Sequence, residues 1–123
     1  MTARKLAFAL ALTLALDAAV ARSHDEVPPV VPDGKPQSCI PIVGMESNVR
    51  DDRTIDFVAG GRTYRNILPQ SCPELGGERA FSYETSLSEL CSTDIIHVFH
   101  QGIPHMAGAA CGLGQFQPVK KVH

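Results

Sequence analysis

Cysteine and histidine are the side chains best able to do chemistry in this chain, and their spacing decides which chemistry is open to them. Cys39, Cys72, Cys91 and Cys111 are even in number and far apart. None of them has a neighbour at the two-to-four-residue spacing of a structural zinc knuckle, so zinc is disfavoured. Two disulfides are the expected outcome in an oxidising compartment. Spacing alone does not choose among the three pairings that four cysteines allow. A hairpin joining the last two strands through about Pro104 would set Cys91 opposite residue 117 or beyond, which disfavours a bond to Cys111. The expected pairs are therefore Cys72 with Cys91 and Cys39 with Cys111, each worth roughly 3 to 4 kcal/mol in the loop-closure account.

The five histidines are His24, His97, His100, His105 and His123. His97, His100 and His105 with Met106 invite a copper reading, because imidazole and thioether are suitable ligands. A strand over this stretch argues against it: side chains alternate, so Ile95, His97 and Phe99 point one way and Ile96, Val98 and His100 the other.

His24 gains importance from what precedes it. Arg4 and Lys5, the apolar run Leu6 to Leu16, and the small residues Ala18, Ala19 and Ala21 have the three-part form of a cleavable export signal. The run is too short for a permanent anchor, which needs roughly 20 apolar residues. Cleavage after Ala21 would leave Arg22, Ser23 and His24 as the new terminus. The free amine, two amide nitrogens and the His24 imidazole then supply four nitrogen donors in one plane, which suits Cu(II) or Ni(II). This arrangement resembles the amino-terminal copper and nickel binding motif.

Hydrolytic chemistry finds no matching pattern: a nucleophile elbow, paired histidines around a glutamate, and an unpaired cysteine beside a histidine are all missing. Asp94 reads as a turn or cap residue, and Gly112 and Gly114 lack the following helix of a phosphate loop. The chain reads as a non-enzyme. Removal of residues 1–21 takes away Arg4, Lys5 and Asp17, leaving nine basic and twelve acidic side chains. That mild acidity, without a basic stripe, excludes nucleic acid as the expected partner.

The elements that must position these residues begin after a proline-rich stretch. Residues 22–38, with Pro28, Pro29, Pro32 and Pro36, read as a mobile linker. Residues 39–119 form the folded domain and 120–123 a tail. A domain this small gains from covalent staples. Its clearest feature is a hairpin, Thr54 to Ala59 and Arg62 to Leu68, turning on Gly60 and Gly61. With Ala59 facing Arg62, Phe57 lies opposite Tyr64 and Ile55 opposite Asn66 on a buried face. Asp56 meets Arg65 and Val58 meets Thr63 on a solvent face. Further strands are predicted at 42–50, 80–84, 94–100 and 112–117. Ser86 and Glu89 have capping-box spacing, which predicts a short helix burying Leu87 and Leu90.

Cys39-Ile40, Asp52-Arg53-Thr54-Ile55, Tyr64-Arg65-Asn66, Cys72-Pro73, Phe81-Ser82-Tyr83, Leu90-Cys91 and the closing Cys111-Gly112-Leu113-Gly114-Gln115-Phe116 together resemble a domain-of-unknown-function family of small exported proteins, mainly proteobacterial. The resemblance implies localisation and architecture, and it brings no catalytic residue. The sequence thus predicts a mainly β domain, a small antiparallel sheet or partly open barrel with one short helix and two disulfides. It is expected in the periplasm or outside the cell, without a membrane anchor after processing. Its expected role is a binding module for a protein or small molecule, with periplasmic copper or nickel binding through Arg22, Ser23 and His24 as the alternative.

Overall fold

The structure, a computed structural model, describes residues 27–85, 87–102 and 107–122. It is mainly β and antiparallel. A five-stranded sheet has the order β1-β10-β5-β4-β3, formed by β1 (Val30–Pro32), β10 (Phe116–Lys121), β5 (Arg62–Ile67), β4 (Thr54–Ala59) and β3 (Glu46–Val49). Two smaller sheets complete the fold: β2 (Cys39–Pro41) with β7 (Glu89–Cys91), and β6 (Phe81–Tyr83), β8 (Ile95–Phe99) and β9 (Ala107–Gly112) in the order β6-β8-β9. Among the described residues no helix is long and apolar enough to cross a membrane.

The central hairpin has the register that its turn dictates. Gly60 and Gly61 take φ of 60° and 80°, the doubly positive pair of a primed turn that a side chain would resist. Every cross-strand pair follows, including Phe57 with Tyr64, Ile55 with Asn66 and Asp56 with Arg65. Ile55, Phe57, Tyr64 and Asn66 are buried on the inner face as the alternation requires.

The core lies between that inner face and the two small sheets, and Ile40, Leu90, Ile96 and Phe116 complete it. Phe57 meets Phe116 edge-on at 5.4 Å between centroids and Phe81 of the three-stranded sheet at 6.2 Å. These rings tie two sheets together, each pair adding roughly 1 kcal/mol beyond its burial. Asn66 is the polar exception, fully buried. Its amide donates to the Gly114 carbonyl at 2.7 Å and accepts from the Gly114 amide at 2.8 Å, so the side chain completes the backbone pairing where the strand ends. A side chain at position 114 would collide with the Ile67 carbonyl, which explains the glycine.

Several expectations are corrected. The disulfides are Cys39–Cys91 and Cys72–Cys111, not Cys72 with Cys91 and Cys39 with Cys111. The reason is sheet order: β7 leaves the expected hairpin and pairs with β2, placing Cys39 opposite Cys91. Part of the expected linker is a strand, since Val30, Val31 and Pro32 pair with Lys121, Lys120 and Val119. Lys120 and Lys121, expected in a tail, therefore lie within β10, and Pro118 sits inside that strand rather than stopping it. The predicted strand over 42–50 is replaced by β2 and β3 on either side of a turn at Gly44.

The predicted helix near Ser86 is a strand at Glu89–Cys91, because pairing with β2 and a covalent bond outweigh a capping box. Ser86 itself lies outside the described residues. The helical turn is instead α1 (Leu75–Glu78), built on two glycines that favour no helix. Tertiary contact supplies what propensity lacks: Gly76 donates to Asp52 Oδ1 at 2.6 Å, Cys72 donates to the Asp52 carbonyl at 2.7 Å, and Leu75 is fully buried.

Candidate functional site

On the outer face of the five-stranded sheet, alternation places Asp56 on β4 directly across from Arg65 on β5. Arg50, just beyond the end of β3, comes from the other side. Arg65 grips the carboxylate with two donors, Nε to Oδ1 at 2.8 Å and Nη2 to Oδ2 at 2.9 Å, and Arg50 Nε donates to Oδ2 at 2.9 Å. This is not the exposed pair that the sequence predicts, because the Asp56 side chain is only 5% accessible and that of Arg65 12%. Burial alone would raise the Asp56 pKa, but the hydrogen bonds from Arg65 and Arg50, together with their charges, outweigh it and hold the carboxyl below its ordinary 3.8.

The triad forms part of the lining of a half-open cleft of about 570 Å³. Pro28, Val30, Val58 and Val119 give it apolar walls, and Lys121, on the same face of β10 as Val119, stands with the two arginines. The cleft is bounded at one end by Pro28 and Pro29, which β1 brings beside β10. Among the described residues, Arg50, Arg65 and Lys121 on the outer face stand against the single carboxylate of Asp56, with Lys120 at the rim. The chain as a whole has 11 basic and 13 acidic side chains. Positive charge is therefore concentrated in one apolar-walled cleft of an otherwise mildly acidic molecule, and the volume falls within the range of small-molecule sites. What this arrangement can do is hold an anion by charge and shape.

No protein-family model matches the chain, and no curated protein or solved structure is significantly similar to it.

The histidines that invite a copper reading do not converge among the described residues, in keeping with the strand alternation that argues against it. His97 is exposed on β8, whereas His100 turns inward to bridge two carboxylates, Nε2 to Glu74 Oε1 and Nδ1 to Glu78 Oε2, both at 3.1 Å. These contacts lie on opposite edges of the ring and tie β8 to α1. His105 and Met106 lie outside the described residues. So do Arg22, Ser23 and His24, the expected Cu(II) or Ni(II) donors.

Sequence reading found Asp56 and Arg65 as partners but missed the cleft above them. The missing parts were Arg50, which joins from just beyond the end of β3, and residues 28–30 with 120–122, which read as linker and tail. One signal was present: the alternation of Val30, Pro32 and of Gln117, Val119, Lys121 is compatible with two paired strands, β1 at the edge and β10 beside it. The prolines masked it.

Proposed function

We propose that this protein is an exported binding module that holds a small amphipathic anion, a carboxylate with an apolar tail, in the cleft over Asp56. The observation that carries this reading is the convergence of Arg50, Arg65 and Lys121 on an apolar-walled cleft of ligand size. Asp56, Arg50 and Arg65 are engaged with one another, which suits fixing charge in place better than passing protons. Lys121 stands exposed on the cleft's face and supplies the complementary charge for the ligand head. Binding is expected on residues 22–123 with octanoate as the probe, followed by amide chemical shifts. Octanoate should move Val58, Thr63, Val119 and Lys121, and Lys121→Glu should abolish the response, whereas Lys120→Glu, on the opposite face, should leave most of it. Equal shifts with neutral octanol, or none with octanoate, would sink the proposal.

In this reading residues 1–21 direct export and the mature chain works in the periplasm or outside the cell, as a member of the exported family its cysteine-bearing segments resemble. Two disulfides are consistent with an oxidising extracellular environment. Amino-terminal sequencing of the processed product should begin at Arg22. That terminus carries the separate proposal of Cu(II) or Ni(II) capture by Arg22, Ser23 and His24. A planar-copper absorbance is expected from the processed chain and should disappear when residues 22–24 are deleted; equal absorbance from both rejects it.

A further inference from the structure

We infer that Cys39, Cys91 and Glu89 form a second, reductively opened site that takes a thiophilic divalent cation such as zinc, independent of the anion cleft. The sequence disfavours zinc because no two cysteines have knuckle spacing, but strand pairing supplies the proximity that spacing does not. In the β2–β7 ladder, Ser92 donates to the Ser38 carbonyl at 2.7 Å and Ile42 to the Ser88 carbonyl at 3.1 Å. Cys39 and Cys91 are thus a directly opposed pair between hydrogen-bonded rungs, the arrangement in which side chains approach closest. Glu89 is two residues from Cys91, so it projects from the same face. Its carboxylate oxygen and the two sulfurs lie within 4.8 Å of one another.

The two disulfides differ in access. Cys72 is fully buried within the core cluster, with half-buried Cys111 packed against it, so this bond has one shielded sulfur. Cys39 and Cys91 are half-buried outside that cluster, and Glu89 is exposed. Access governs which bond an external reductant reaches first. A dithiol attacks one sulfur, the mixed disulfide resolves, and Cys39 and Cys91 leave as two thiols while the dithiol becomes a cyclic disulfide. Two electrons and two protons pass to the protein. A divalent ion then displaces both thiol protons, and two thiolates with the Glu89 carboxylate make a three-ligand set whose fourth position is left to water. Thiolate ligands select zinc over magnesium or calcium.

The oxidised full-length processed protein is treated briefly with dithiothreitol, freed of it without oxygen, and titrated with Co(II) as the spectroscopic substitute for zinc. One equivalent should give a thiolate-to-cobalt charge-transfer band, which zinc then bleaches. Alkylation and mass mapping should find modified Cys39 and Cys91 with Cys72–Cys111 intact. Cys39→Ser with Cys91→Ser should abolish the band. Glu89→Gln, which leaves both sulfurs and the fold untouched, should weaken binding by at least the roughly tenfold that loss of even an outer-shell partner costs. The inference is overturned if no band forms, if Glu89→Gln binds as tightly as the parent, if the band survives the double serine change, or if Cys72–Cys111 is the bond that opens first.

Discussion

The large sheet and the small sheets are held by different means. The five-stranded sheet has a full ladder, a two-residue turn at its centre and an aromatic inner face. The sheet of β2 and β7 has only three pairs, too few to persist in water alone, and a disulfide closes it directly. The three-stranded sheet is anchored through Cys111 to Cys72, which follows β5. The lesson is that covalent bonds appear where backbone pairing runs short, and that non-covalent packing carries the part with enough strands to bury a face.

Removing each staple sharpens this contrast most. The loops closed span 52 and 39 residues of separation. Chain entropy alone therefore gives about 4 kcal/mol for each bond, with a difference of only about 0.3 kcal/mol. Burial must decide between them. Cys72→Ala with Cys111→Ala should cost about 5 kcal/mol, because a core cavity adds to the lost constraint. Cys39→Ser with Cys91→Ser should cost about 4 kcal/mol and first expose the amides of Ile40 and Leu90 to hydrogen exchange. Urea unfolding of both variants checks the order, and equal losses would break the comparison.

Phe57→Ala strikes the large sheet at its best-packed point. A fully buried phenylalanine lost from contact with Phe81 and Phe116 should cost about 3 to 4 kcal/mol, seen as one cooperative urea transition shifted to lower concentration.

Asp56→Asn tests the outer face of the same sheet. It leaves two guanidinium groups without their counter-charge and should cost about 2 to 3 kcal/mol at neutral pH, discounted for the partial exposure of Arg50. Because the folded carboxyl titrates below its ordinary value, its pairing contributes fully above that value and is lost as pH falls through the lowered one. The gap between parent and variant should therefore close in acid, which a pH series of thermal unfolding measures.

His100→Ala should have the smallest effect, under about 1 kcal/mol and reduced further by salt, since Glu74 is 60% exposed in its side chain. A larger loss would mean that α1 is held by this bridge rather than by Leu75 and Asp52.

How much of this was legible depended on how local each cause is. The hairpin register follows from Gly60 and Gly61, adjacent residues whose backbone freedom admits one turn, and it was readable to the last pair. The alternation along β8 was readable for the same reason: Ile96 and Val98 are buried while Ile95, His97 and Phe99 face outward. The edge strand β1 was not, because prolines disfavour interior strands and only the partnership with β10 shows that these are tolerated at an edge. The depth of Asp56 was hidden likewise: a charge opposite a charge reads as solvated until Arg50, from beyond β3, closes on the same carboxylate from the other side.

The sequence by itself determined a mainly β, antiparallel domain with two disulfides, a buried face through Ile55, Phe57, Tyr64 and Asn66, and an ion pair between Asp56 and Arg65. Tertiary structure alone decided which cysteines join, where the helical turn falls, and that a cationic cleft lies above Asp56. Period and turn chemistry are properties of neighbouring residues, whereas the order of strands in a sheet is a property of how the whole chain closes, and disulfides and clefts are made by that order.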